Sequence, residues 1–227
     1  MSGGAAAADA DTGRRFRGLL LDYGGVMTTS MAGAFAAFAA DAGVDPARFK
    51  AVIEEAYGGG DPNGMVAGLE RGTTSLAAFE RWLAERLSPG AARPVEAEGL
   101  RGRLFAGMEP DPAMAAAVAR ARSHGIRTAL VSNSWGDAGY ERDRFEELFD
   151  AVVISAEVGL RKPDREIFLL AADRIDVPPE ECVFVDDLPN NVEGARAVGM
   201  EAVVHRSAEF TIPRLEGLFG LPLEPRE

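Results

Sequence analysis

The sequence is short of the residues that most often carry catalysis: its 227 residues include one cysteine, Cys182, and two histidines, His124 and His205. A single cysteine excludes both an internal disulfide and a thiolate cage for zinc. Its neighbours Val183, Phe184 and Val185 mark it as an inert, buried thiol. Two histidines leave few candidate bases for a Ser-His-Asp arrangement. Long apolar runs are missing too: nothing approaches the roughly 20 residues that cross a bilayer, so no membrane partner is expected. The N-terminal stretch MSGGAAAADADTGRR lacks the charged and apolar regions of a secretory signal. It predicts a flexible tail over residues 1–16 and a cytoplasmic location. Basic residues are also in deficit, 24 against 36 acidic ones, a formal net charge of -12. That balance argues against nucleic acid, whose binding needs clustered Lys and Arg to displace counterions. A metal cation would be welcome, and carboxylates must carry the chemistry.

What is present is material for a buried core. Hydrophobic residues make up 47% and charged residues 26%, values that predict a folded chain. Five short apolar runs read as buried parallel strands: Gly18 to Leu21, Thr128 to Val131, Ala151 to Ile154, Cys182 to Val185 and Ala202 to Val204. Segments with helical spacing separate the later ones, at Pro112 to Ser123, Tyr140 to Phe149, Asp164 to Ile175 and Asn191 to Val198. Gly125 and Gly199 stand where left-handed helix-terminating residues are expected. The alternation predicts an α/β fold, a doubly wound parallel sheet with helices on both faces. From about Thr29 to Leu104 the rhythm breaks into amphipathic stretches around Phe35, Phe38, Phe49, Val52, Phe79 and Leu83, with a loop over Gly58 to Gly64. The domain reading is therefore a core of residues 17–28 and 105–227 with a helical cap, residues 29–104, inserted after the first strand. A cap there would overhang the strand ends, where ligands of such sheets collect.

Four motifs lie at those ends. Asp22 follows the first strand and precedes Gly24 and Gly25, which permit a tight turn. Its carboxylate can attack phosphorus or, alternatively, cap the turn. Asp186 and Asp187 follow another strand; adjacent like charges call for a cation, and hard oxygen ligands suit Mg²⁺. Asn191 can hydrogen-bond that acidic loop or cap the next helix. Ser132 and Asn133 offer small hydrogen-bonding groups for phosphoryl oxygens, although turn formation also explains them. Lys162 stands before a helix start marked by Pro163 and Asp164, either balancing charge at the site or solvated. Tyr23 and Trp135 adjoin these motifs and are candidates to line a substrate pocket. Phe35, Phe38, Tyr57 and Trp82 fit cap packing better.

Taken in order, Asp22, then Ser132-Asn133-Ser134-Trp135, then Val158 to Pro163, then Phe184 to Met200 resemble the haloacid dehalogenase-like hydrolase superfamily. The likeness runs from Arg17 to about Pro213 and is strongest to the N-terminal phosphatase domain of soluble epoxide hydrolases, a subgroup with a helical cap. It implies a phosphatase of a Rossmann-like core acting on a small phosphorylated substrate with Mg²⁺. Asp22 would be nucleophile and metal ligand, with the Gly24 carbonyl a second ligand, Asp187 binding the metal directly and Asp186 directly or through water. Ser132 and Asn133 would orient the phosphoryl group, and Lys162 would balance charge. One departure matters. Family phosphatases carry a second aspartate two residues after the nucleophile, as general acid and base, and here Gly24 holds that position. General acid–base catalysis contributes about 10²–10⁴-fold, so three expectations follow: a substrate with a good leaving group, a substitute proton donor, or a non-catalytic Mg²⁺ and phosphate-binding module. The residues also leave room for a dehalogenase, which lacks the second aspartate too, and for a prenyl diphosphate-processing enzyme.

Overall fold

The computed structural model describes residues 13–57, 64–136 and 142–224. The expected loop over residues 58–63, most of the expected tail and the start of the helix expected from Tyr140 lie outside the described residues. Five parallel strands form one sheet: β1 (Gly18–Leu21), β2 (Arg127–Ser132), β3 (Ala151–Ile154), β4 (Cys182–Asp186) and β5 (Glu201–Val204), in the order β3-β2-β1-β4-β5. Side chains alternate across this sheet with the two-residue period of a strand. Leu19 and Leu21 of β1 and Val183 and Val185 of β4 enter one apolar layer with Met114, Val118, Ile212 and Phe219. Leu20, Cys182 and Phe184 enter the opposite layer with Ile167, Phe168, Ala171 and Val192. Both faces are covered, which is why the strands read as unbroken apolar runs rather than alternating ones.

In chain order the helices are α1 (Met31–Ala42), α2 (Pro46–Ala56), α3 (Met65–Glu70), α4 (Leu76–Leu87), α5 (Leu100–Phe105), α6 (Pro112–Ser123), α7 (Arg142–Leu148), α8 (Ser155–Val158), α9 (Arg165–Arg174), α10 (Pro189–Ala197) and α11 (Ala208–Phe219). Local chemistry sets their ends. Ser30 and Ser75 cap α1 and α4, Asp45 and Pro46 start α2, and Gly43 ends α1 at φ 63°. Gly125 and Gly199 take the left-handed conformation expected of them, at φ 83° and 96°.

The interval between β1 and β2 is helical, and α1 to α5 bury Phe35, Phe38, Phe49, Val52, Phe79 and Leu83 in a third apolar cluster that also holds Trp135. The two chain segments joining this helical layer to the sheet run side by side. Thr29 N–H donates to the Glu109 carbonyl at 2.8 Å and Asp111 N–H to that of Met27 at 2.8 Å. One expectation is corrected at the N-terminus: Phe16, placed in the tail, is 2% exposed and belongs to the sheet's core. A lone aromatic at the end of a small-residue stretch has no periodic neighbours to reveal its burial.

Candidate active site

The sheet register builds the site. Leu21 of β1 pairs with Leu130 of β2 and with Val185 of β4, so the residues that follow, Asp22, Val131 and Asp186, come level at the carboxyl edge. Lys162, from the loop between α8 and α9, reaches across this row. Its ammonium lies 2.7 Å from Asp22 Oδ1, 2.8 Å from Asp186 Oδ2 and 2.8 Å from the Val131 carbonyl oxygen. Three donors meet three acceptors, one from each of three adjacent strands. That satisfaction lets a lysine sit at 1% exposure.

Asp187, Asp186 and Asp22 offer carboxylate oxygens that all lie within 4.8 Å of one another. One ammonium cannot balance three carboxylates in so small a volume. Burial, assisted by Asp186 and Asp187 and opposed by Lys162, raises the Asp22 carboxyl from 3.8 to about 7. Burial and the Asp186 charge likewise raise Asp187 to about 6. The Lys162 ammonium is held protonated by Asp186 and Asp22 against its own burial. Hard oxygens, two excess negative charges and carboxyls that resist ionising alone together fit a divalent cation such as Mg²⁺. Gly25 keeps this space open: at φ 79°, a Cβ there would stand 2.5 Å from Asp187 Oδ2. Asp186 is held from behind, accepting from Leu188 N–H at 2.9 Å and from Asn191 Nδ2 at 3.0 and 3.1 Å. Of the two roles open to Asn191, the acidic loop is the one its side chain takes.

A cavity of about 980 Å³ opens above the row, and Asp22, Tyr23, Gly24, Ser132, Asn133, Trp135, Lys162 and Asp187 all line it. The candidate residues are thereby brought together, with Asp186 fully buried beneath them. Neither histidine is among the lining residues; His205 Nδ1 pairs with the Thr211 hydroxyl at 2.9 Å. Tyr23 does two jobs, lining the cavity and packing edge-on against Phe145 at 5.6 Å. Trp135 sits among Phe35, Tyr57, Phe79 and Phe105, so a residue of the sheet's loop anchors the helical layer above.

Three features escaped the sequence reading. Tyr57 and Phe35, assigned to cap packing, also face the cavity. At Gly24 a side chain would meet Met31 Sδ at 3.3 Å and Met108 Cε at 3.7 Å, so thioethers surround the place of the absent carboxylate. Glu70 and Arg161 form a buried ion pair, 2.6 Å between Oε2 and Nε, on the cavity wall. A carboxylate as the last residue of a helix opposes the helix dipole; that misfit was the available signal that Glu70 has another partner.

This assembly, an aspartate-lined cleft at the carboxyl edge of a doubly wound sheet beneath a helical layer, defines a class of α/β enzymes that work through carboxylates. Residues 16–199 match the family described as haloacid dehalogenase-like hydrolase, and the chain belongs to that family. Mouse bifunctional epoxide hydrolase 2 is 31% identical over 116 residues, 48% of this chain and 21% of that protein. Phosphoserine phosphatase of Thermus thermophilus is 34% identical over 144 residues, 58% of each chain. The match spans 11% of mouse acyl-CoA dehydrogenase family member 10, so the chain covers less than two thirds of the length of each of these three relatives. A Bacteroides thetaiotaomicron enzyme of the family, crystallised with magnesium and inorganic phosphate, shares the fold at TM-score 0.62 and 18% identity, covering 84% of this chain and 94% of its own.

Proposed function

We propose that the chain is a Mg²⁺-dependent phosphatase that forms an aspartyl-phosphate on Asp22 and acts on a small phosphorylated metabolite. The observation that carries this reading is the Lys162 ammonium bridging Asp22 and Asp186 beside Asp187, under a cavity large enough for a metabolite. Asp22, Asp187, Asp186 and the Gly24 carbonyl would hold Mg²⁺, which supplies charge neutralisation for the phosphoryl oxygens when bound. Both side-chain bonds to Asp22, from Lys162 Nζ and from Tyr23 N–H at 2.7 Å, fall on Oδ1. Oδ2 is then the oxygen available to attack phosphorus as the bond to the leaving oxygen breaks. Ser132 and the Asn133 backbone orient the phosphoryl group, the Asn133 side chain being engaged by Lys162 and Glu70, and Lys162 offsets charge on Asp22. Water then cleaves the acyl phosphate, returning the Asp22 carboxylate and releasing inorganic phosphate.

The apolar surroundings of Gly24 set the substrate preference. With Met31 and Met108 nearest a Cβ on Gly24, residue 24 itself gives the leaving oxygen no proton. Substrates whose leaving group is stable as an anion, such as acyl phosphates, anomeric sugar phosphates or diphosphates, are favoured over alkyl phosphates. The test is phosphate release from acetyl phosphate and an aryl phosphate with Mg²⁺, beside the Asp22→Asn variant and excess chelator. Turnover should fall at least about 10³-fold in the variant and vanish on chelation. No Asp22-dependent release across a broad phosphate panel would leave a binding module. Activity on a haloacid in excess chelator would make the chain a dehalogenase.

A further inference from the structure

The ion pair of Glu70 and Arg161 has no part in the chemistry above, yet it lies on the cavity wall, with Glu70 buried and Arg161 partly so. Glu70 ends α3, in the helical layer. Its carboxylate accepts from Arg161 Nε at 2.6 Å and from Asn133 Nδ2 at 3.3 Å. The two donors belong to the two sheet-edge loops that carry Ser132 and Lys162. The next residue repeats the grip with reversed charge: Arg71 Nη2 lies 2.8 Å from Asp164 Oδ2. Just beyond, Gly72 at φ 74° lies so close to the sheet side that a Cβ would stand 3.0 Å from the Ala156 carbonyl oxygen. One end of one short helix therefore holds Asn133 and residues 161 to 164 together.

Asn133 makes this contact consequential. Its Oδ1 accepts the Lys162 backbone N–H at 2.8 Å, and its Nδ2 donates to the Lys162 carbonyl at 3.0 Å as well as to Glu70. Asn133 thus clamps both backbone polar groups of Lys162, while the Lys162 ammonium sits on Asp22. Burial raises the Glu70 carboxyl, the Arg161 guanidinium opposes that rise, and the bonds donated by Arg161 and Asn133 hold it as an acceptor.

We propose that Glu70 is a positioning residue: carried by the helical layer, it orients Asn133 and Arg161 and, through Asn133, sets the backbone of Lys162, so the loops reach working geometry when that layer is seated. The proposal rests on the phosphatase reading of Asp22 and Lys162. It predicts a loss in kcat rather than KM, since misplacing a reacting constellation by about 1 Å costs up to about 10²-fold.

The experiment is a double-mutant cycle on an aryl phosphate with Mg²⁺, using wild type, Glu70→Gln, Asn133→Ala and the double variant, with thermal melts of each. Expected results are a kcat about 10- to 100-fold lower in Glu70→Gln, KM within about threefold, and a double variant no slower than Asn133→Ala alone within about twofold. Unchanged kcat in Glu70→Gln, or losses that multiply in the double variant, would overturn the proposal. A loss confined to alkyl phosphates with a displaced acid limb of the pH profile would overturn it in favour of proton donation. Should Glu70→Gln lack a cooperative melt, Glu70→Asp keeps the charge, withdraws the carboxylate by one methylene and is read the same way. If neither variant melts cooperatively, Glu70 is a folding determinant and the proposal fails. Asp22→Asn run alongside separates the two readings: a wild type without Asp22-dependent turnover defeats the phosphatase assignment, whereas an active wild type matched by Glu70→Gln defeats only this one.

Discussion

Gly24 occupies a backbone position with no left-handed requirement, and an added Cβ meets the flexible side chains of Met31, whose Sδ at 3.3 Å must shift slightly, and of Met108. Gly24→Asp is therefore sterically admissible, and it should raise kcat on alkyl phosphates by roughly 10- to 100-fold while changing aryl phosphates little. Equal changes on both would show that the new carboxylate does not protonate the leaving group. Gly25 is different, because its φ of 79° and the 2.5 Å approach of Asp187 Oδ2 leave no room for any side chain. The carboxyls themselves predict a pH dependence. Asp22 at about 7 and Asp187 at about 6 stay protonated in the metal-free fold at pH values where an unfolded chain, near 3.8, has already released those protons. The folded state then binds more protons than the unfolded one, so this contribution to stability is complete below about pH 4 and is lost as pH rises to about 7. In chelator, the slope of melting temperature against pH should be flatter for Asp22→Asn than for wild type across that window. Mg²⁺ should restore more at about pH 7.5 than at about pH 5, since it must displace those protons. Parallel wild-type and variant slopes would show that Asp22 ionises normally in the fold.

At the level of elements, the site is a row of three strand ends tied by one side chain. Removing Lys162 as Lys162→Met leaves the fully buried Asp186 and the nearby Asp22 facing each other without a cation. Breaking a buried pair in this way costs about 3–5 kcal/mol, readable as a lower urea midpoint, and Mg²⁺ should recover part of it. A midpoint unchanged in chelator would show that the carboxylates had simply taken up protons. The strands behind this row were legible because burial on both faces leaves an apolar run that ends abruptly at a polar residue. The helix at Pro112–Ser123 was legible to the residue, because Pro112 starts it and Gly125 at φ 83° closes the turn beyond. Four ordered motifs likewise gave Asp22, Ser132, Lys162 and Asp187 a shared cavity. What stayed hidden depends on contacts between distant segments. Glu70 meets Arg161 across 91 positions, Asn133 spends its amide on Lys162, and Met31 and Met108 converge on Gly24. No periodicity encodes such meetings; they arise from how the helical layer seats on the sheet.

For the whole molecule, the lone thiol is a reporter of global opening. Cys182 begins β4, beside the central strand β1, fully buried, with its sulfur 2.8 Å from where a Cβ on Gly18 of β1 would stand. Burial, aided by Glu181 and Glu180, pushes its pKa up to about 12, so the folded chain presents a protonated and inaccessible sulfur. Alkylation must then wait until the central pair β1 and β4 separates, which removes the core on both faces at once. Since Cys182 is the only cysteine in the sequence, the signal belongs to one site. Mg²⁺ bound at the edge of the same two strands stabilises the closed state by RT ln(1 + [L]/Kd), about 2.7 kcal/mol at a hundred times Kd. When reclosing outpaces alkylation, the labelling rate should fall by the same factor, about 100-fold. The dependence should disappear in a variant carrying both Asp22→Asn and Asp187→Asn. Rapid stoichiometric labelling of the native chain would show that the sheet opens locally at Cys182. A slow rate indifferent to Mg²⁺ would show that the metal site and the sheet centre do not share one cooperative unit.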